Sequence, residues 1–156
     1  MEFLDEIKAK FPNVLESVDG SNENESVLLL KDKTKIKRVC KEVKNHFDIL
    51  FMLMAVDKPP KIFELNYVFS SYKTQNILTI RVNIERDKAV IDSISSLFES
   101  ADWEERETYD LFGVEFIGHK NLKRILLPED WPGRPLRKDF EVTDEVRNLT
   151  GLDLKF

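Results

Sequence analysis

The sequence predicts an α+β fold: a two-layer sandwich in which helices cover one mixed or antiparallel sheet. Three observations predict it. Some segments carry apolar residues at helical spacing, others carry them in alternation or in runs of strand length, and the two kinds of segment come in blocks that do not alternate strictly. The predicted order is helix, two strands, helix, three strands and helix, followed by a short helix and an extended C-terminal strip.

The first part of the chain supplies two helices and a hairpin. Residues 2–10 form a short amphipathic helix that ends before Pro12. Residues 14–18 and 27–30 read as two strands, separated by a turn-rich stretch at 19–22. The clearest helical pattern begins at an N-cap, Thr34, and its apolar stripe, which includes a small core thiol, consists of Ile36, Val39, Cys40, Val43 and Phe47.

Three more strands and a third helix follow. The apolar run at 50–56 has strand length and no charge, which predicts a central strand covered on both faces or nearly so. Residues 63–69 and 78–84 alternate apolar with polar positions, as in an antiparallel hairpin with one solvent-exposed face. A third helix over 87–98, capped by Asp87, is predicted to cover the sheet with Val90, Ile91, Ile94, Leu97 and Phe98.

A charged and aromatic segment then interrupts the regular patterns. Asp102 as N-cap, Glu105 three residues later and Gly113 as the C-terminal stop predict a short helix over 103–112. Beyond it only a short strand at 114–116 is expected. We therefore divide the chain into an α+β domain at 1–113 and an extended, partner-binding segment at 114–156. One arc of the short helix carries a tryptophan and three charges: Trp103, Arg106, Glu107 and Asp110.

Composition argues against several functional classes. A net charge of -5 without a basic tract disfavours direct nucleic-acid binding. A single cysteine, Cys40, rules out an internal disulfide and an iron–sulfur cluster held by this chain alone. The longest apolar run is far shorter than the roughly 20 residues that span a bilayer, and the N-terminus lacks a signal-peptide core. We expect a cytoplasmic chain without membrane insertion and without a metal or other cofactor of its own.

Three interpretations of the charged segment remain. The simplest is a solvated helix face beside one anchoring aromatic residue, Trp103. A small metal-dependent enzyme would use Glu107, Asp110 and His119, because carboxylates and imidazoles are metal ligands and acid–base groups. Only two histidines are present, far apart, and the motifs of zincins, P-loop proteins and serine hydrolases are absent from the sequence. Alternating arginine and tryptophan instead favour a protein–protein surface.

At these residues the chain resembles the NuoC-like, or thirty-kilodalton-subunit, family of complex I, including the related subunits of energy-converting membrane-bound NiFe hydrogenase-type complexes. The family signature begins with glutamate, arginine, glutamate, any residue, an aromatic residue, aspartate, two apolar residues and glycine, which matches residues 105–113. It continues with His119, Arg124-Ile125-Leu126 and Gly133, and ends at Pro135-Leu136-Arg137-Lys138-Asp139-Phe140. Lys120 and Glu141 stand where the family usually has proline.

The resemblance implies a non-catalytic structural subunit in the hydrophilic electron-transfer arm of a membrane-bound, ion-translocating oxidoreductase of the NADH dehydrogenase or hydrogenase type. Such a subunit docks on the large hydrogenase-like subunit, near the small iron–sulfur subunit, peripherally on the cytoplasmic side of the membrane. Iron–sulfur clusters and any NiFe site belong to those partners. The residues expected at the partner interface are Trp103, Arg106, Glu107, Asp110, His119, Arg124, Asp130, Arg137, Lys138, Asp139 and Phe140.

Overall fold

The computed structural model describes residues 2–18 and 24–150, and over these residues the predicted α+β class is confirmed. In chain order the elements are α1 (Glu2–Lys10), β1 (Leu15–Val18), β2 (Glu25–Leu30), one 3₁₀ turn (Lys33–Lys35), α2 (Ile36–Val43), β3 (Ile49–Lys58), β4 (Ile62–Ser70), β5 (Ile77–Glu85), β6 (Val90–Asp92), α3 (Ala101–Phe112), β7 (Glu115–Ile117) and α4 (Asp144–Thr150).

Five strands form one mixed sheet in the order β1-β2-β5-β4-β3. The contact between β2 and β5 is parallel, and the other three contacts are antiparallel. Both predicted hairpins, β1–β2 and β4–β5, are therefore confirmed as strand pairs. The turn expected at 19–22 lies outside the described residues.

The hydrophobic core lies on one face of this sheet, against α1, α2 and α3. The stripe predicted on α2 is confirmed, because its apolar residues and Phe47 are all buried. The Cys40 thiol is among them, and burial raises its pKa, which fits a small core residue. Alternate residues of β4 and β5 face the helices from the sheet side of the core: Phe63, Leu65, Tyr67, Phe69, Leu78, Ile80 and Val82.

The predicted third helix over residues 87–98 is wrong. The chain there forms the short strand β6, which pairs in parallel with β7, and then turns. Ile94 and Phe98 are nevertheless buried, because a strand followed by a turn directs them into the core as a helix would. Local hydrogen bonds favour the turn: the Ser93 hydroxyl contacts the Ser95 hydroxyl at 2.8 Å and accepts the Ser95 N–H at 3.2 Å. Serine side chains bound in this way compete with helical hydrogen bonding.

Strand β3 lies at the edge of the sheet, so the prediction of a central strand covered on both faces is also wrong. Only β4 pairs with it in the described part of the chain. Leu50 and Leu53 point into the core, but Phe51, Met52 and Met54 are exposed. The uncharged part of β3, residues 49–56, thus has the sequence of a buried strand but presents apolar side chains to the outside.

The C-terminal segment combines regular and irregular structure. It begins with β7, continues through residues 118–143 without helix or strand, and forms α4, which the prediction of an extended segment did not include. We call residues 118–143 the strip. No helix in residues 2–18 or 24–150 is long and apolar enough to cross a membrane.

Candidate functional site: the contact of α3 with the strip

Asp110 is the centre of the contact between α3 and the strip. Its carboxylate is fully buried, and Oδ2 accepts the backbone N–H groups of Ile125, Leu126 and Leu127 at 3.0, 2.9 and 2.9 Å. Oδ1 accepts a hydrogen bond from Arg124 at 2.9 Å. Burial acts to raise the pKa of Asp110, but these hydrogen bonds outweigh it, and the pKa lies below its ordinary value. One ionised side chain therefore shapes three consecutive residues of the strip.

Two arginines extend this contact along the strip. Arg124 also donates to the carbonyl oxygens of Trp131 and Gly133, at 3.0 and 3.3 Å, and so holds the next turn of the strip. Arg134, which the sequence did not single out, donates to the Asp110 carbonyl oxygen at 3.0 Å, and its guanidinium lies 4.5 Å from the ring centroid of Tyr109. Both arginines thus bind groups of this chain and help to hold the strip against α3.

Gly113 gives Arg134 the room it needs at the end of α3. The glycine has φ 79°, in the left-handed region, and its N–H donates to the Tyr109 carbonyl at 2.9 Å as the C-terminal stop of the helix. A Cβ at this position would lie 3.2 Å from Nε of Arg134. The glycine of the signature therefore serves both the helix end and the approach of the arginine.

The exposed side of α3 carries Trp103 and Glu107. Arg106 connects this side to the strip, because it donates to the carbonyl oxygens of Lys123 and Arg124 at 3.1 and 3.2 Å. Its guanidinium also lies 5.5 Å from the Trp103 ring centroid, in a cation–π contact. Arg106 thus contacts the Trp103 ring, while much of the tryptophan side chain remains exposed to solvent.

His119 is buried beside the N-terminal half of α3. Its Nδ1 accepts the N–H of Asn121 at 3.1 Å, which leaves the proton of the neutral ring on Nε2. Nε2 lies 3.2 Å from the carbonyl oxygen of Asp102 and 4.0 Å from a carboxylate oxygen of Glu105. Both ring nitrogens are occupied within the chain, so an interface role of His119, which stays a prediction, acts through the position of the strip.

Glu105 is the buried acid that the interface prediction did not include. Its oxygens accept the Ser93 hydroxyl at 2.6 Å and the Ile94 N–H at 2.7 Å. Burial raises its pKa to about 7 against these stabilising hydrogen bonds. The capping-box spacing pointed to this residue for helix initiation, but its partners lie in the segment after β6, which spacing within the helix does not reveal.

A second ionic contact attaches the far end of the strip. Asp57 and Arg86 form a buried two-point pair at 2.8 and 3.1 Å. Asp139 contacts the same guanidinium at 2.5 Å, and the Lys138 N–H donates to Asp57 at 2.8 Å. Arg137 bonds Asp139 at 3.3 Å. The strip is therefore fixed near both ends.

Phe140 and Asp130 complete the predicted set. The Phe140 ring lies against Gly133, within 3.0 Å of where a Cβ would stand. Asp130 and the Lys138 side chain are exposed. The structure therefore divides the set between residues that shape the strip and residues that face outward, the latter being Trp103, Glu107, Asp130 and Lys138. Asp139 is exposed but also holds the strip through Arg86.

The arrangement does not favour the metal-dependent enzyme built from Glu107, Asp110 and His119. Glu107 is exposed, the Asp110 oxygens are occupied by hydrogen bonds, and the His119 ring binds the backbone. In the described ranges no group of three or more His, Cys, Asp or Glu side chains is placed to hold a metal ion.

Two solved structures share this fold. A chain of the archaeal membrane-bound sulfane sulfur reductase matches with a TM-score of 0.82 at 24% identity, covering 99% of this chain and 93% of that one. A trypsin-resistant fragment of Nqo5 matches with a TM-score of 0.63 at 24% identity, covering 78% of this chain and 97% of the fragment. At these identities the likeness concerns the fold alone.

Sequence comparison identifies the family. The C subunit of F420H2 dehydrogenase from Methanosarcina mazei is 36% identical over 142 residues, which is 88% of this chain and 89% of that protein. The C subunit of NADH-quinone oxidoreductase from Moorella thermoacetica is 36% identical over 144 residues, 92% of this chain and 96% of that protein. The family model described as respiratory-chain NADH dehydrogenase, 30 kDa subunit, matches residues 29–146. The resemblance seen in the signature is thereby confirmed, and the chain belongs to this family, the NuoC type of subunit in complex I-like respiratory complexes.

Proposed function

We propose that the chain is a non-catalytic structural subunit that docks on another subunit of a membrane-bound, ion-translocating oxidoreductase through α3 and the strip. The direction of the strip's side chains carries the proposal. Backbone N–H groups of the strip and the Arg124 guanidinium turn inward, since Asp110 alone binds three N–H groups and this guanidinium. Two apolar side chains of the strip turn outward, Leu126 with 59% and Leu136 with 52% exposed, whereas Leu122 packs against the core. Apolar groups held outward by a fixed backbone are typical of a surface that another protein covers.

Trp103 continues this apolar surface onto α3. The side chain is 62% exposed, and Arg106 supports the ring. Tryptophan beside arginine is a common combination among residues that dominate binding energy. We call Trp103, Leu126 and Leu136 the strip surface. Glu107, Asp130 and Lys138 supply charged groups for its polar rim.

The partner that fits best is the large hydrogenase-like subunit of such a complex, with the small iron–sulfur subunit nearby. Support comes from the family and from relatives that are named as the C subunits of a dehydrogenase and an oxidoreductase. In this role the chain needs no cofactor, because iron–sulfur clusters and any NiFe site belong to the partners. The subunit lies peripherally, on the cytoplasmic side of the membrane.

Replacing Trp103 and Leu126 together by alanine is expected to weaken docking at least about tenfold, because both side chains lose their contact area with the partner. The measurement is the amount of this chain that co-purifies with an affinity-tagged large subunit when the whole complex is expressed. Tyr72→Ala is the matched control, since Tyr72 is an aromatic residue that is 74% exposed and lies in the turn after β4.

Thermal unfolding of the isolated chains separates docking from folding. All variants are expected to unfold within a few degrees of the wild-type chain, because surface substitutions away from buried networks change stability by about 0.5 kcal/mol or less. A double variant that folds normally and co-purifies at the wild-type ratio would argue against docking through the strip surface.

A further inference from the structure

The exposed edge of β3 is an apolar surface that ends before Asp57, the residue of this strand that the strip contacts. Phe51 is 63%, Met54 47% and Met52 39% exposed, and no charged residue occurs between Asp48 and Asp57. We call Phe51, Met52 and Met54 the edge surface. Met52 and Met54 stand opposite Val68 and Asn66 of β4, on the sheet face away from the helices, whereas Leu53 on the other face is buried.

The composition of β3 is that of a strand covered on both faces. A long apolar strand at a sheet edge is a site for association with another chain, and proteins usually protect it with charges, proline or a covering element. Here protection within the chain is partial: Glu104 accepts the Leu53 N–H at 2.9 Å, and Ser100 donates to the Leu50 carbonyl at 2.7 Å. Neither contact covers the exposed side chains.

We propose that the edge surface is a second docking surface for the same partner subunit that receives the strip surface. This inference rests on the proposed function and specifies how far the interface extends. The matching surface of the partner is apolar and uncharged, since an unpaired charge placed against this stretch would lose its hydration without compensation. Methionine side chains suit such a contact because they adapt to the shape of the opposing surface.

Continuity with the strip surface identifies the occupant. Leu50 and Leu53 flank Phe51 in the strand, and they contact Ser100, the N-cap of α3, and Glu104 within α3. Trp103 lies between Ser100 and Glu104 in sequence, on the exposed side of α3. The register shift between Leu50 and Met52 turns the strand beside this helix. A partner seated on Trp103 therefore lies beside the part of β3 that contains Phe51.

The test places a positive charge on the edge surface of the otherwise intact complex. Phe51→Lys combined with Met54→Lys is expected to lower co-purification with the tagged large subunit at least about tenfold, because two lysines would be desolvated in an apolar contact. Tyr72→Lys, which adds one lysine at an exposed aromatic position, is the control and should co-purify normally. Phe51→Ala combined with Met54→Ala removes apolar area without adding charge and should give a smaller loss in the same direction.

The outcomes separate this inference from the proposed function. If the strip-surface variant is lost from the complex while both edge-surface variants stay at the wild-type ratio, docking through the edge surface is wrong and docking through the strip stands. If neither kind of variant is lost, both proposals fail. If the isolated wild-type chain dimerises, the lysine variant is monomeric and the complex is unaffected, the edge surface binds a second copy of this chain and the inference is overturned.

Discussion

Asp110→Asn is expected to lower the free energy of unfolding by about 3–5 kcal/mol, the range for breaking a buried charged contact by removing one partner's charge. Asparagine keeps the shape of the side chain but offers one acceptor oxygen and an NH₂ donor. Whichever way it turns, a donor faces either Arg124 or the three N–H groups of residues 125–127. The Arg124 guanidinium or the backbone is then left without its acceptor.

Urea unfolding of the isolated chain measures this loss, and limited proteolysis shows where it acts. We expect faster cleavage within residues 124–134 of the variant, because Asp110 holds this stretch on α3. Asp130→Asn is the matched control: it makes the same change at an exposed position of the strip and should alter stability by about 0.5 kcal/mol or less. Equal stability of the two variants would contradict the central role of Asp110.

The sequence allowed the fold to be predicted where a single element carries its own pattern. The stripe on α2 and the antiparallel pairing of β4 with β5 follow from local patterns, and both predictions are confirmed. The solvent-exposed face predicted for this hairpin is wrong for β4, because Glu64 and Asn66 are buried there by their polar contacts with Lys58 and Arg81.

The helix predicted over residues 87–98 was wrong because apolar spacing alone does not distinguish a helix from a strand followed by a turn. Here Ser93 binds the nearby backbone and favours the turn. The prediction for β3 was wrong because an apolar composition does not determine whether a strand lies at the centre or at the edge of its sheet.

The candidate site was predictable in its residue types and not in its geometry. Spacing within α3 brings Asp110 close to Arg106, one helical turn away, but its observed partners lie 14–17 residues later in the strip. Contacts across such distances follow from the path of the chain, which local patterns do not encode. Arg134 and Glu105 were missed as site residues for the same reason, since each binds an element remote in sequence.

Stability is expected to depend on pH through Glu105. Its folded-state pKa of about 7 lies above the ordinary value of 4.5, so between these values the folded chain keeps a proton that the unfolded chain has lost. The favourable contribution of the neutral acid is complete below pH 4.5 and is lost as the pH rises through 7. A shift of this size corresponds to about 3 kcal/mol at alkaline pH.

Glu105→Gln tests this dependence because glutamine is a neutral copy of the protonated acid. Its oxygen can accept the Ile94 N–H, and its NH₂ group can donate to the Ser93 hydroxyl, so both observed contacts have a replacement. We expect the stability of the variant relative to wild type to rise by about 2–3 kcal/mol between pH 5 and pH 8. Urea unfolding at both pH values measures this change, in which the titration of all other groups cancels.

Glu107→Gln provides the matched control on the same helix. Glu107 is exposed, so the difference between this variant and the wild type should stay constant within about 0.5 kcal/mol over the same pH range. A constant difference for Glu105→Gln as well would mean that the carboxyl is already ionised in the folded chain at pH 5. The hydrogen bonds from Ser93 and Ile94 would then outweigh burial in setting its pKa.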